Sequence, residues 1–193
     1  MNMHGGQPTN LEEASLTKRV CAGDVNAFEL LCMRLEGPLY GYAYGMVRNS
    51  HEAEDIVQEA LFRLYREMRA RKLRPGGSAR SYVFAIAHNL AVDSSRRTRS
   101  IVPLDASFPA PDGDLAESPV LREQLNRALA DLPANHRSAL MLREFGDLSY
   151  AEIAKTLGAS LAEVKVWIHR GRKGLAQLLD RDGQYLGKNA HEL

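Results

Sequence analysis

Cysteine is scarce in this chain: Cys21 and Cys32 are the two among 193 residues, too few for a disulfide framework. Long hydrophobic runs are missing as well. The longest strictly apolar stretch runs from Tyr82 to Ala87, far short of the roughly 20 residues needed to cross a bilayer. The opening MNMHGGQPTN has neither the basic start nor the apolar stretch of a secretory signal. Neither sign of charge prevails, since 25 Lys plus Arg stand against 24 Asp plus Glu for a net charge of +1. A uniformly basic nucleic-acid coat is thereby excluded. The P-loop, HExxH and GxSxG patterns do not occur, and His4, His51, His88, His136, His169 and His191 show no metal-ligand spacing. The expectation is a cytoplasmic protein that is not an enzyme, needs no cofactor or metal and does not insert into a membrane.

What is present is helical periodicity. Alternating polar and apolar stretches are lacking, so the predicted fold class is all-α. With 45% hydrophobic residues the chain has the means to bury a core. One compositional break divides it, IVPLDASFPAPDGDLAESP at 101–119, which holds four of the eight prolines and four acids without a base. Proline removes backbone donors and the acids repel one another, which favours an extended, solvated linker. At about 3.1 Å per residue it spans up to roughly 60 Å. The chain then divides into a tail (1–15), a helical domain (16–100), the linker (101–119), a second helical domain (120–179) and a C-terminal tail (180–193).

Helix signals fill both domains. Asp24 caps a helix from about Val25, with Ala27, Phe28, Leu31 and Leu35 on one side of it. Another helix opens at Ser50 to Ala53 and runs to about Arg71, and Pro75, Gly76 and Gly77 break the chain after it. A further helix runs from about Ala79 to Arg97. Beyond the linker, Ser118 and Pro119 start a helix that ends near Asp131, and Pro133 starts the next. Cys21 and Cys32 are expected to fill core or helix-interface positions.

The C-terminal domain reads as a helix-turn-helix. Ser149 and Glu152 make a capping box, Gly158 is placed to end the short helix in the left-handed conformation, and Ser160 with Glu163 makes a second box. Two short helices joined so tightly cross steeply. At about 100° per residue, Leu161, Val164, Ile168 and Leu175 fall on the inward side of the second helix. Lys165, Val166, His169, Arg170 and Lys173 project outward, the chemistry that meets phosphates, guanine edges and thymine methyls in a major groove. Trp167 falls between the faces and is expected to pack partly.

The N-terminal domain is polarised. Residues 1–62 carry four bases and nine acids, whereas residues 63–99 carry ten bases and two acids. The helix AEDIVQEALFRLY places Glu54, Asp55, Gln58 and Glu59 on one surface, either as helix-dipole decoration or as a docking surface for a basic partner. Tyr82, Phe84 and Asn89 among arginines suit unpaired bases, although each ring taken alone is more often a core residue.

In order along the chain, AGDVNAFELL, AEDIVQEALFRLY, SARSYVFAIAHNLAVDSSRR, ALADLPANHRSALMLREFGDLSYAEIAKTLG and EVKVWIHRGRKGL resemble the two-domain, extracytoplasmic-function class of bacterial RNA polymerase sigma factors. The resemblance runs from about Leu16 to Leu179. It implies that Asp55, Gln58 and Glu59 dock on the clamp coiled coil of the largest subunit of core RNA polymerase. It further implies that Arg80, Tyr82, Asn89, Arg96 and Arg97 bind the −10 element of promoter DNA, with Asn89 lining a pocket for an extruded base and the loop before them helping to melt the duplex. By the same resemblance Lys165, Val166, His169, Arg170 and Lys173 read the −35 element, the linker threads the RNA-exit path, and an anti-sigma factor is a partner. Tyr82 stands where the family commonly has Trp, and Val166-Trp167 replaces a frequent Ser-Arg pair, which removes one possible phosphate or guanine contact.

Two other functions fit fewer of these features. A stand-alone helix-turn-helix regulator accounts for residues 149–175 but not for the acidic helix or the linker. A sigma mimic that sequesters an anti-sigma factor has no need of Arg96, Arg97, Arg170 and Lys173.

Overall fold

The computed structural model describes residues 8–70, 78–97 and 119–189. Among these residues the chain forms eight helices and no strand. They are α1 (Pro8–Cys21), α2 (Val25–Val47), α3 (Ser50–Arg69), α4 (Ala79–Arg97), α5 (Pro119–Asp131), α6 (Ala134–Glu144), α7 (Tyr150–Leu157) and α8 (Leu161–Asn189). The all-α expectation holds. The Pro-Gly-Gly loop, the Ser118 cap and the linker before Pro119 lie outside the described residues. Both tail boundaries fall inside helices, because α1 begins at Pro8 and α8 continues to Asn189.

Local chemistry starts these helices where the caps lie. An Asp24 carboxylate oxygen accepts from the Ala27 N–H at 3.0 Å, and the Asn49 side chain accepts from Glu52 N–H at 3.0 Å ahead of α3. Such a cap contributes ~1 kcal/mol by satisfying an orphan donor. Burial does the rest. Ala53, Ile56, Val57, Ala60, Leu64 and Met68 form the inner stripe of α3 against α2 and α4. Pro38 lies inside α2 and deprives it of one backbone bond. The fully buried Leu35, Leu39 and Tyr42 around it hold the helix together.

α1 is fastened by ion pairs. Glu13, only 4% exposed, accepts from Arg80 Nε of α4 at 2.9 Å and from the same guanidinium's Nη2. Glu12 pairs with Arg34 of α2.

The two helical blocks pack on each other and share one core. Phe145, which follows α6, packs against Gly41 of α2, where a Cβ would stand 2.4 Å from its Cε1. A side chain at this position would force the ring to shift. A Cβ at Gly146 would lie 2.5 Å from the Leu142 carbonyl oxygen and 3.2 Å from Phe84 Cδ1. Beneath this seam Tyr42 and Phe84 meet edge to face at 5.6 Å. Apolar burial favours this contact between the blocks.

The seam has polar members as well. The Tyr42 hydroxyl and Nδ1 of His88 share a hydrogen bond at 2.8 Å. Burial pushes the Tyr42 phenol up and holds His88 below its ordinary 6.5. Arg137 of α6 donates through Nη1 to the Ala130 carbonyl at 3.3 Å, while its Nε has no protein partner. Burial first, and then Arg48, lowers its pKa.

His88 makes stability depend on pH. Its folded pKa is depressed, so as pH falls through 6.5 the unfolded chain gains a proton that the folded chain refuses. The contribution is complete above 6.5 and is lost below it. Tm should therefore fall from about pH 7.5 to about pH 5.5. His88→Gln should flatten that fall in calorimetric scans, and an unchanged slope would assign it to other groups.

Candidate functional site

The polar face of α3 is open. Asp55 and Gln58 are exposed, and Glu59 is partly exposed with Arg63 Nε donating to it at 2.7 Å. They share a face because positions three and four apart on a helix are neighbours. Further along the same helix the charge reverses at Arg63, Arg66 and Arg69. Two of these lie over rings, Arg66 over Phe62 at 5.8 Å and Arg69 over Tyr65 at 5.9 Å.

On α4, Tyr82, Asn89 and Arg96 form one outward stripe, since steps of seven residues nearly complete two turns. Asn89 and Arg96 are exposed and Tyr82 is partly buried. Burial is the main cause that pushes the Tyr82 phenol up; Glu67 adds to it and Arg63 opposes it, so the basic end of α3 borders this stripe. Arg80 stands apart. Two residues from Tyr82 is about 200° round the helix, which turns Arg80 inward to Glu13 and over the Phe84 ring at 6.0 Å. Its donors toward Glu13 are already used inside the bundle. Phe84 is wholly buried and belongs to the core. The Arg97 side chain lies outside the described residues.

The helix-turn-helix is built as its local chemistry dictates. Ser149 and Glu152 cap each other's backbone, and Gly158 ends α7 at φ +63°. The second box is complete too: Glu163 accepts from Ser160 N–H at 2.8 Å, and Ser160 Oγ accepts from Glu163 N–H at 3.2 Å. The Ser160 hydroxyl, which donates to the same carboxylate at 2.7 Å, and then the Ser160 N–H hold the Glu163 carboxyl below the usual carboxylate range. Val164 and Ile168 are buried, whereas Lys165, Val166, His169, Arg170 and Lys173 are exposed. Leu161 departs from its expected inward place and is 46% exposed. It is the first residue of α8, ahead of the stretch where Gly171 and Gly174 let the helix approach His136 and Leu132. Trp167 is partly buried against the core, as expected.

The two cysteines are free thiols, both partly buried. Burial first, then Glu36 and Glu29, pushes the Cys32 thiol up to about 11, and Cys21 lies half-buried against the core. Two features escaped the sequence reading. One is the Glu13–Arg80 pair, which no local signal announces. The other is Phe62, exposed on the acidic face of α3, which helical spacing from Asp55 would have located.

Comparison with known proteins agrees with this layout. The family model for Sigma-70 region 2 matches residues 31–101, and that for Sigma-70, region 4 matches residues 122–175. The chain is 31% identical to the ECF RNA polymerase sigma factor SigW of Bacillus subtilis, covering 84% of this chain and 94% of that protein. It is likewise 31% identical to the RNA polymerase sigma-H factor of Pseudomonas aeruginosa, over 89% of this chain and 95% of that one. Among solved structures, CnrH in complex with the cytosolic domain of CnrY shares the fold at a TM-score of 0.67 and 21% identity, covering 89% of this chain and 99% of that one. The sigma factor RpoE of Bartonella quintana, solved with the anti-sigma factor NepR, does so at 0.66 and 22%, over 81% of this chain and 98% of that one. With both domain models in order along the chain and relatives matched over nearly their whole length, the chain belongs to the extracytoplasmic-function family of RNA polymerase sigma factors and is a transcription-initiation factor.

Proposed function

We propose that this sigma factor divides its work among three exposed surfaces. Asp55, Gln58 and Glu59 dock on a basic helical element of core RNA polymerase, the clamp coiled coil of the largest subunit. Tyr82, Asn89 and Arg96 engage the −10 element, with the Tyr82 ring available for stacking and the Asn89 amide both donating to and accepting from a base edge. Arg97 extends this set along α4. Arg80 acts at one remove, holding α4 in place through Glu13. Lys165, Val166, His169, Arg170 and Lys173 bind the −35 element. The observation that carries this reading is the separation of an acidic face on α3 from the aromatic, amide and arginine stripe on α4.

The protein acts by binding and not by covalent chemistry, and it works in the cytoplasm with the polymerase. No helix among the described residues is long and apolar enough to cross a membrane. An anti-sigma factor is a partner by the same reading, since CnrH was solved with CnrY and RpoE with NepR.

The test uses holoenzyme reconstituted from the full chain and core polymerase, on a promoter selected from genomic fragments. Asn89→Ala should slow promoter opening about tenfold, the scale of one lost base contact. Binding to the closed duplex should change less than twofold. Permanganate footprinting follows opening and filter binding follows the duplex. An equal loss in both steps would reduce Asn89 to a structural residue.

A further inference from the structure

Large apolar side chains stand exposed at few places among the described residues: Val25, Leu30 and Met33 on α2, Phe62 on α3, and Leu161 and Val166 on α8. Phe62 differs from the rest in its neighbours. At about 100° per residue it lies roughly 20° from Asp55, 40° from Gln58 and 60° from Glu59 round the helix. One exposed ring thus sits on the same face as the three polar docking residues, with 55% of its surface open. Core packing does not account for it, because the inner stripe of α3 ends at Leu64 and Met68 on the opposite side. On the C-terminal side Arg66 lies over the ring at 5.8 Å and makes no ion pair among the described residues.

We propose that Phe62 is the apolar anchor of the polymerase-docking surface, received by apolar side chains of a basic amphipathic helix on the polymerase. The inference rests on the docking reading of Asp55, Gln58 and Glu59 and adds to it a buried apolar contact that slows dissociation. Exposed charges steer encounter and fix register. A few buried anchors, aromatic rings prominent among them, carry most of the binding energy. The charge order along α3 also sets the partner's polarity. Its cations face the Asp55 end, and its apolar residues meet Phe62. Its neutral or acidic residues face Arg66. Arg66, stacked on the ring, narrows the rotamers of Phe62 before binding and so lowers the entropy lost on docking.

The experiment titrates core RNA polymerase against the labelled full chain at two salt concentrations. The variants are Phe62→Ala, Phe62→Leu, Phe62→Gln and the double reversal Asp55→Lys/Glu59→Lys. Phe62→Ala and Phe62→Gln should each weaken binding about 30-fold, mostly through faster dissociation. Leucine should restore most of the loss. The salt dependence of the Phe62 variants should match the wild type, whereas the charge reversal should flatten it. Gln is a good helix former, so its loss cannot be assigned to unfolding, and circular dichroism should be unchanged for all four. If the Phe62 variants bind within threefold of wild type while the charge reversal fails, the anchor is overturned and the docking reading stands. If neither the ring nor the charges affect binding, the docking reading falls and takes the anchor with it.

Discussion

Replacing Asp55 and Glu59 together by lysine is expected to weaken binding to core RNA polymerase at least about 100-fold. Close charge pairs across an interface couple by at least about 1.5 kcal/mol each, so losing two gives about 3 kcal/mol, or two decades. The new lysines would also repel a basic partner. Little should happen to the fold. Asp55 is exposed, and Glu59 gives up only its pairing with Arg63, worth about 0.3–0.5 kcal/mol on a helix surface. Biolayer interferometry against immobilised core enzyme, with thermal melts of both proteins, separates the two effects. Unchanged affinity would remove polymerase docking from this face.

The largest loss of stability is expected from Glu13→Ala. The carboxylate is 5% exposed at its side chain and the guanidinium of Arg80 13%. Removing one partner leaves the other charge buried without compensation, a cost of about 3–5 kcal/mol. That is a large share of the 5–15 kcal/mol typical of a folded protein. The pair itself is a different quantity. Removing both charges in Glu13→Leu/Arg80→Met should recover much of the loss, because desolvation is then avoided on both sides. Urea unfolding of the two variants tests this. A loss below about 1 kcal/mol in Glu13→Ala would mean that water reaches Arg80 in the folded chain. Because α1 grips α4 through this pair, the destabilised variant should also misplace the stripe bearing Asn89.

The features legible in the sequence were those encoded within a few residues. Asp24, Ser149, Ser160 and Gly158 act on backbone groups three or four positions away, and they stand in the structure as read. The inner stripe of α3 and the outward basic set on α8 follow from helical periodicity alone. Arg80 shows where such reading fails. The family resemblance implied a promoter contact for it, yet its angle on α4 points inward, and a carboxylate 67 positions earlier in the chain meets it. Leu161 fails for the opposite reason, having the right angle but standing at the very end of its helix. The Phe145 contact with Gly41 was beyond local reading, because nothing near either residue announces the other. Phe62 was within reach by angle and was passed over among the charges around it.

The seam between the two blocks turns the molecule into a ruler with two settings. By their names, the −10 and −35 elements lie about 25 base pairs apart, which at 3.4 Å per pair is roughly 85 Å of duplex. The longest helix, α8, has 29 residues and at 1.5 Å per residue is about 44 Å long, about half of that interval. On the proposed division of surfaces, the contact of Phe145 with Gly41 holds the −10-binding and −35-binding blocks together across a span shorter than that interval. Engaging both elements would then mean lifting Phe145 off Gly41, and the strength of that contact would enter into the affinity for a complete promoter.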